Sequence, residues 1–136
     1  SPEQRNRIVM QRFAGTKKDL RKVTWQKNWA MAKFRDFGNF QLVLDQEAPV
    51  IVPIGFSDNA NLSGNSRLYF TVKDNLDEWK VLRTEIDGHW IRFTNDKAKY
   101  FHYRFDEKCP PGAHILKVIA EDEAGNRTEK DFHFTR

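Results

Sequence analysis

The chain has 136 residues, of which 39% are hydrophobic and 13% aromatic, and its net charge is +4. This length predicts one domain, or one domain with a small flanking piece, and the apolar content excludes a disordered chain. No apolar run approaches the roughly 20 residues of a transmembrane helix, so no transmembrane segment is predicted. The only cysteine, Cys109, excludes an internal disulfide.

The first part of the chain, residues 1–46, contains short alternating apolar runs separated by turn residues. Such runs predict a small N-terminal β-meander or two hairpins. The predicted strands are Arg7–Phe13, Arg21–Gln26, Trp29–Arg35 and Phe40–Leu44. The following stretch, Asp45-Gln-Glu-Ala-Pro49, predicts a junction, because proline restricts the preceding residue to an extended conformation.

Residues 47–136 contain runs of strand length at regular spacing and no convincing helix. Asp87-Gly88 between two such runs is a strong signal for a two-residue hairpin turn. The predicted strands are Val50–Ile54, Arg67–Lys73, Val81–Ile86, His89–Phe93, Lys99–Phe105 and the two strands of a hairpin within Gly112–Arg136, with a turn at Asn95–Ala98. This spacing predicts an all-β fold, an immunoglobulin-like or fibronectin-III-like β-sandwich.

The last hairpin shows the two faces of a strand most clearly. Leu116, Val118 and Ala120 form one alternating row, and Ile115 and Ile119 lie on the other face. The residue two positions before the inward row is His114. We predict a buried imidazole there that bonds to the backbone.

No arrangement of residues predicts catalysis, and no cofactor or metal site is expected. The motifs H-x-H, H-E-x-x-H, C-x-x-C and G-x-S-x-G are all missing from the sequence. His102 and Asp106 fit H-x-x-x-D, but on one strand their Cα atoms would lie about 13 Å apart, too far to share one zinc ion. The turn Asp122-Glu123 with Asn126 either binds calcium weakly or is stabilised by side-chain hydrogen bonds alone.

Two surfaces are candidate binding sites. Trp79, Trp90 and Tyr103 could form an aromatic platform for a sugar, although aromatic residues of a sandwich more often fill its core. Cationic residues are concentrated near the N-terminus, and the candidate contact face consists of Arg12, Lys17, Lys18, Arg21 and Lys22. Such a face would suit an acidic polymer as a partner. The alternative is that these cations only keep exposed strand faces hydrated and protect the sheet edges. Nucleic acid is not expected as a partner.

Three segments carry a likeness to a known family. They are Phe37–Asp45 running into Ala48–Pro53, Ile86-Asp-Gly-His-Trp-Ile91, and the hairpin from Gly112 to Asn126. Over roughly residues 28–136 they resemble the C-terminal regions of lysostaphin-like (LytM-type) cell-wall peptidases of bacteroidete bacteria. In that family zinc is bound by H-x-x-x-D and H-x-H motifs in a separate upstream catalytic domain, so the resemblance implies a non-catalytic region.

The resulting hypothesis is a non-catalytic accessory region of an exported peptidoglycan metallopeptidase. It would position the enzyme's own upstream catalytic domain or hold it near peptidoglycan. The resemblance implies a periplasmic, outer-membrane-associated or secreted location. Two alternatives stay open: a carbohydrate-binding module with an aromatic platform, and a structural spacer domain.

Overall fold

The computed structural model describes residues 1–15, 17–35, 37–76, 80–96 and 100–136. These residues form an almost entirely β-structured chain with one helical turn, α1 (Pro2–Arg5). The strands are β1 (Ile8–Ala14), β2 (Lys17–Lys22), β3 (Thr24–Gln26), β4 (Trp29–Met31), β5 (Asn39–Leu44), β6 (Val50–Ile54), β7 (Ala60–Asn61), β8 (Arg67–Lys73), β9 (Val81–Ile86), β10 (His89–Trp90), β11 (Thr94–Asp96), β12 (Tyr100–Arg104), β13 (Ala113–Glu121) and β14 (Arg127–Thr135). The predicted all-β class is confirmed.

Two packed sheets form the sandwich. One has the strand order β10-β9-β13-β14-β7 and the other the order β11-β12-β8-β6. Their strands pair antiparallel, except that β7 runs parallel to β14. The predicted immunoglobulin-like or fibronectin-III-like sandwich is confirmed in this arrangement.

Alternation along the strands determines which side chains fill the core. On β13, Leu116, Val118 and Ala120 are fully buried, as predicted. In the second sheet, the rings of Phe70 and Phe101 stack with their centroids 5.2 Å apart and belong to the same core cluster. Full burial of one such large apolar side chain contributes about 1.5–3 kcal/mol, so this continuous core is the main stabilising feature of the sandwich.

The N-terminal part forms a second, smaller β-unit. Its three-stranded sheet has the order β2-β1-β5, and β3 pairs with β4 as a separate hairpin. The strand predicted over Arg21–Gln26 is therefore two strands, because the chain turns a corner at Val23, which is 7% exposed. The strand predicted over Trp29–Arg35 is shorter than expected and ends at Met31.

A similar corner occurs within the sandwich. The strand predicted over His89–Phe93 ends at Trp90, and the chain then crosses from the first sheet to the second. Ile91 and Phe93 are buried at this crossing. Thr94–Asp96 is a strand where a turn was predicted from Asn95, because these residues pair with β12; residues 97–99 lie outside the described part of the chain.

Helix α1 leaves no periodic pattern in the sequence, since it is a single turn. Ser1 caps it, and its side chain accepts a hydrogen bond from the backbone nitrogen of Gln4 at 3.3 Å. In the described part of the chain no helix is long and apolar enough to span a membrane.

Candidate functional site

A buried polar network joins the N-terminal β-unit to the sandwich. The side-chain nitrogen of Asn126 donates to the backbone oxygen of Asp45 at 2.9 Å and to Oδ2 of Asp122 at 3.0 Å. The side chain of Asn75 donates to Oδ1 of Asp45 at 3.1 Å. Asp45 and Asp122 are only 2% and 1% exposed. The end of β5 is therefore tied to the last turn of the sandwich.

Asp74 brings a third carboxyl group to this network. One oxygen from each of Asp45, Asp74 and Asp122 lies within 4.8 Å of the others. Burial raises the pKa of Asp122, and the neighbouring charge of Asp45 adds to this effect, although hydrogen bonds from Asn126 oppose it. Such a group can retain a proton or ligate a hard cation such as calcium.

The sequence predicts only one part of this cluster, the acidic turn that contains Asp122 and Asn126. Glu123 of the same turn is not among the three clustered carboxyl groups. Asp45 and Asp74 come from distant parts of the chain, so no spacing motif connects them to Asp122. Nothing in the sequence predicts that Asp45 is buried, because Asp45 lies in a polar stretch that ends in a proline.

An apolar contact accompanies the polar network. Val9 and Leu20 of the small sheet form a buried cluster with Ala124 of the last sandwich turn. The backbone nitrogen of Asp45 donates to the backbone oxygen of Arg7 at 2.8 Å, which extends the ladder between β1 and β5 just before the start of β1. The small sheet is therefore packed on one end of the sandwich.

Only part of the predicted basic face is available at the surface. Arg12 is 4% exposed, forms an ion pair with Asp19 and donates to the backbone oxygen of Phe37 at 3.0 Å. Its inclusion in a contact face was wrong, because it lies on the central strand β1 and its charge is neutralised there. The side chain of Lys17 lies outside the described part of the structure.

The other predicted cations differ in exposure. Lys18 and Lys22 are exposed on β2. Arg21 is partly buried, donates to the backbone oxygen of Leu20 at 2.8 Å and lies over the ring of Phe34 at 5.5 Å. Among the described side chains of this predicted face, the exposed cations are therefore Lys18 and Lys22.

The outer strand of the small sheet exposes apolar side chains. Phe40, Leu42 and Leu44 alternate along one face of β5 and are 50%, 46% and 44% exposed. Within the described residues β5 pairs only with β1, so its other edge is open. Met10, opposite Leu42 in the register, borders a surface cavity of about 920 Å³ that Met31 also lines. Contiguous exposed apolar surface of this kind is typical of protein interaction sites.

The predicted aromatic platform does not exist as a set of three. Tyr103 is 6% exposed, and its hydroxyl donates to Asp106. Its assignment as a binding residue was wrong, since its strand turns this ring into the core; burial and the Asp106 hydrogen bond raise its pKa. Trp90 is 59% exposed at the sheet edge, and Trp79 lies outside the described residues.

The predicted burial of His114 is confirmed. Its Nδ1 lies 2.5 Å from Oδ2 of Asp87, and its Nε2 lies 2.5 Å from the backbone oxygen of Pro110. Burial disfavours the charged imidazole, but these two hydrogen bonds outweigh it and raise the pKa of His114. His114 therefore has a structural place in the fold.

The H-x-x-x-D pair is not assembled into a metal site. His102 packs against Tyr69, while Asp106 accepts hydrogen bonds from Tyr103 and from the backbone nitrogen of Lys108. Among the described residues, the group of Asp45, Asp74 and Asp122 is the one set of three side chains with metal-ligand spacing.

Solved structures of other proteins are similar to about two thirds of this chain. An endo-β-1,4-mannanase from Thermotoga petrophila matches 67% of this chain and 20% of its own length, with a TM-score of 0.53 and 12% identity. The Bacteroides ovatus mixed-linkage glucan utilization protein SGBP-B, in complex with a mixed-linkage heptasaccharide, matches 66% of this chain and 24% of its own length, with a TM-score of 0.49 and 20% identity. A fibronectin(III)-like module structure of Clostridium thermocellum CbhA matches 63% of this chain and 94% of its own length, with a TM-score of 0.42 and 18% identity.

At such low identity this likeness concerns the fold alone. The chain spans about a fifth of the mannanase and about a quarter of SGBP-B. No protein-family model matches the chain, and the search of curated proteins found no match.

Proposed function

We propose that the chain is a non-catalytic accessory module of an exported cell-wall peptidase. The exposed apolar face of β5 would contact the catalytic domain of the same protein. The observation that carries this proposal is the row of Phe40, Leu42 and Leu44, each nearly half exposed on a strand with an open edge. Burying them against a partner would gain roughly 25 cal/mol for each Å² of apolar area removed from water.

The charge around this face defines the partner. Arg21 on β2 lies on the same face as Leu42, because both are opposite Met10 in the strand register, and Lys33 after β4 is exposed on the same β-unit. Lys18 and Lys22 are opposite Phe13 and Val9 and lie on the other face of the small sheet. A complementary surface would be apolar at its centre and carry carboxylates at its rim, because opposite charges at a rim orient a complex. A catalytic domain with such a surface is the partner that we propose.

The junction explains how such a contact would position the sandwich. The hydrogen bonds that Asn126 and Asn75 donate to Asp45, together with the buried contact of Val9 with Ala124, hold the two units together. A domain that contacts β5 would therefore hold the sandwich in one orientation. The sandwich would then extend away from the catalytic centre toward the wall.

The titratable groups with shifted pKa values support a role without catalysis. Asp106 accepts hydrogen bonds from Tyr103 and the backbone, and His114 is held between Asp87 and Pro110. Burial raises the pKa of the Cys109 thiol to about 11, so the reactive thiolate is disfavoured at neutral pH. Each of these groups is engaged within the fold.

The proposal is tested on the full-length native protein. Phe40→Ser combined with Leu42→Ser should lower peptidoglycan hydrolysis and weaken wall association, while near-ultraviolet circular dichroism stays unchanged. Ile115→Ser is the matched control, because Ile115 is 40% exposed near the start of β13, whereas the turn that contacts the small sheet follows the other end of that strand. Unchanged hydrolysis and wall association in the double variant would overturn the proposal.

The size of the native protein is a second, independent test. Antibody against this domain should detect a band well above 16.1 kDa in the envelope fraction of source cells. A band near 16.1 kDa would mean that the domain acts alone, which contradicts a role as part of a peptidase.

A further inference from the structure

The outer face of the smaller sandwich sheet carries an unusual pair of cations. Arg67 on β8 and Arg104 on β12 are directly opposite each other in the strand register, and both are exposed. Side chains in such positions have Cβ atoms about 4.5–5.5 Å apart, and like charges there destabilise the sheet. The pairing of Arg67 with Arg104 is therefore expected to lower the stability of the sheet, and a binding role would account for this cost.

More cations lie beside this pair. Arg92 and Lys108 line the same surface pocket of about 230 Å³ as Arg67 and Arg104. None of the four forms an ion pair with any carboxylate among the described residues. The acidic residue that lines the pocket is Asp106, whose Oδ1 accepts from Tyr103 and from the backbone nitrogen of Lys108. The pocket is therefore strongly positive.

Aromatic rings continue from the cations across the sheet. Ile54, Tyr69, His102 and Thr94 form one row through four neighbouring strands in register. The ring centroids of Tyr69 and His102 are 5.7 Å apart, with an angle of 35° between the ring planes. At a strand spacing of ~4.8 Å this row spans about 14 Å, the scale of a short oligosaccharide.

We propose that this sheet face binds an acidic polysaccharide through its carboxylate groups. Guanidinium groups bind carboxylates in a two-pronged geometry, which suits Arg67 and Arg104. Sugar rings would lie along Tyr69 and His102, whose side chains are partly exposed on this face of the sheet. A single-stranded nucleic acid fits less well, because its bases stack on open aromatic ring faces, whereas the side chains of Tyr69 and His102 are partly buried. This site is separate from the β5 face and does not depend on the proposed function.

The test uses the whole chain and three probes: polygalacturonate, neutral dextran and oligodeoxythymidylate. Calorimetric titration should detect polygalacturonate binding that weakens with added salt, since the contact is charge-dependent. Arg67→Gln combined with Arg104→Gln should weaken it at least tenfold, and Tyr69→Ala should also weaken it. Thermal unfolding of Arg67→Gln should occur at the same temperature as in the native chain or a higher one, because a repulsion is removed.

Two control variants separate this site from other basic surfaces. Arg127→Gln removes an exposed arginine from the other sheet, and Lys18→Gln combined with Lys22→Gln removes cations from the N-terminal unit. Both should leave polygalacturonate binding within twofold of the native value. The proposal is overturned if polygalacturonate does not bind, if Arg67 and Arg104 prove dispensable, or if dextran or the oligonucleotide binds at least as tightly. Failure here leaves the β5 variants and their effect on hydrolysis unaffected.

Discussion

The imidazole of His114 lies 2.5 Å from the carboxylate of Asp87 and fastens the β9–β10 turn to the start of β13. The same carboxylate accepts a hydrogen bond from the backbone nitrogen of Ile115 at 2.9 Å. Asp87 has a positive φ of 52°, so the turn residue is in the left-handed region and its side chain is presented to β13. One hydrogen-bonded pair thus ties a local turn to a distant strand.

Replacing His114 by Phe should destabilise the fold by about 1–3 kcal/mol, because the carboxylate of Asp87 and the backbone oxygen of Pro110 lose the buried imidazole as their partner, while ring packing on Phe134 is retained. The raised pKa of His114 means that its contribution is fully present below the unfolded pKa of about 6.5 and is lost as pH rises through the folded pKa. Urea unfolding at pH 6 and pH 8.5 should therefore show a smaller pH dependence in the variant.

The matched control for that experiment is His133→Phe. The His133 side chain is 55% exposed and lies 3.4 Å from Asp58, so its removal should change stability far less. Equal effects of the two substitutions would contradict a structural role for the His114 hydrogen bonds.

Replacing Asp45 by Asn should reduce the pKa shift of Asp122. Because the folded pKa of Asp122 is raised, this group makes the protein more stable as pH falls through that pKa and less stable above it. Asn retains an oxygen that can accept the hydrogen bonds from Glu47 and Asn75, so the change mainly removes charge. Between pH 7 and pH 4.5 the free energy of unfolding of the native chain should therefore rise more, or fall less, with falling pH than that of the variant. Asp131→Asn, at an exposed position, should leave the slope unchanged.

Replacing Gly38 by Ala should destabilise the N-terminal β-unit. A Cβ atom at Gly38 would lie 2.5 Å from the backbone oxygen of Phe13, and a backbone atom cannot move aside as a flexible side chain can. We expect a loss of about 1–3 kcal/mol, the usual cost of overpacking. Gly64→Ala is the control, because nothing lies within 4 Å of its added Cβ and the loss of chain entropy alone should be neutral or favourable. Urea unfolding and limited proteolysis of both variants measure the difference, and equal stabilities would contradict the close approach.

Cys109 should react with a thiol reagent only when the protein opens. It is fully buried, and burial raises its pKa to about 11. At pH 8 the native protein should react at least a hundredfold more slowly than the chain unfolded in guanidinium chloride. Rapid labelling of the native chain would show that Cys109 is accessible.

Local pattern sufficed for much of the sandwich. The bounds of β6, β8 and β9 agree with the prediction, because each is a short apolar or alternating run of strand length bounded by clear turn residues. Pattern failed where the chain changes sheets, at Val23 and after Trp90, since an apolar residue at a corner looks like the continuation of a strand.

Neighbouring residues alone are enough to predict the fold class, the inward row of β13 and the burial of His114. The contacts between charged groups depend instead on how the strands and sheets pack. Arg12 became a buried partner of Asp19, Arg67 and Arg104 came to face each other, and three carboxyl groups from separate loops met at the junction. Strand register and sheet packing bring such residues together from far apart in the chain, and a single sequence contains no local signal for those pairings.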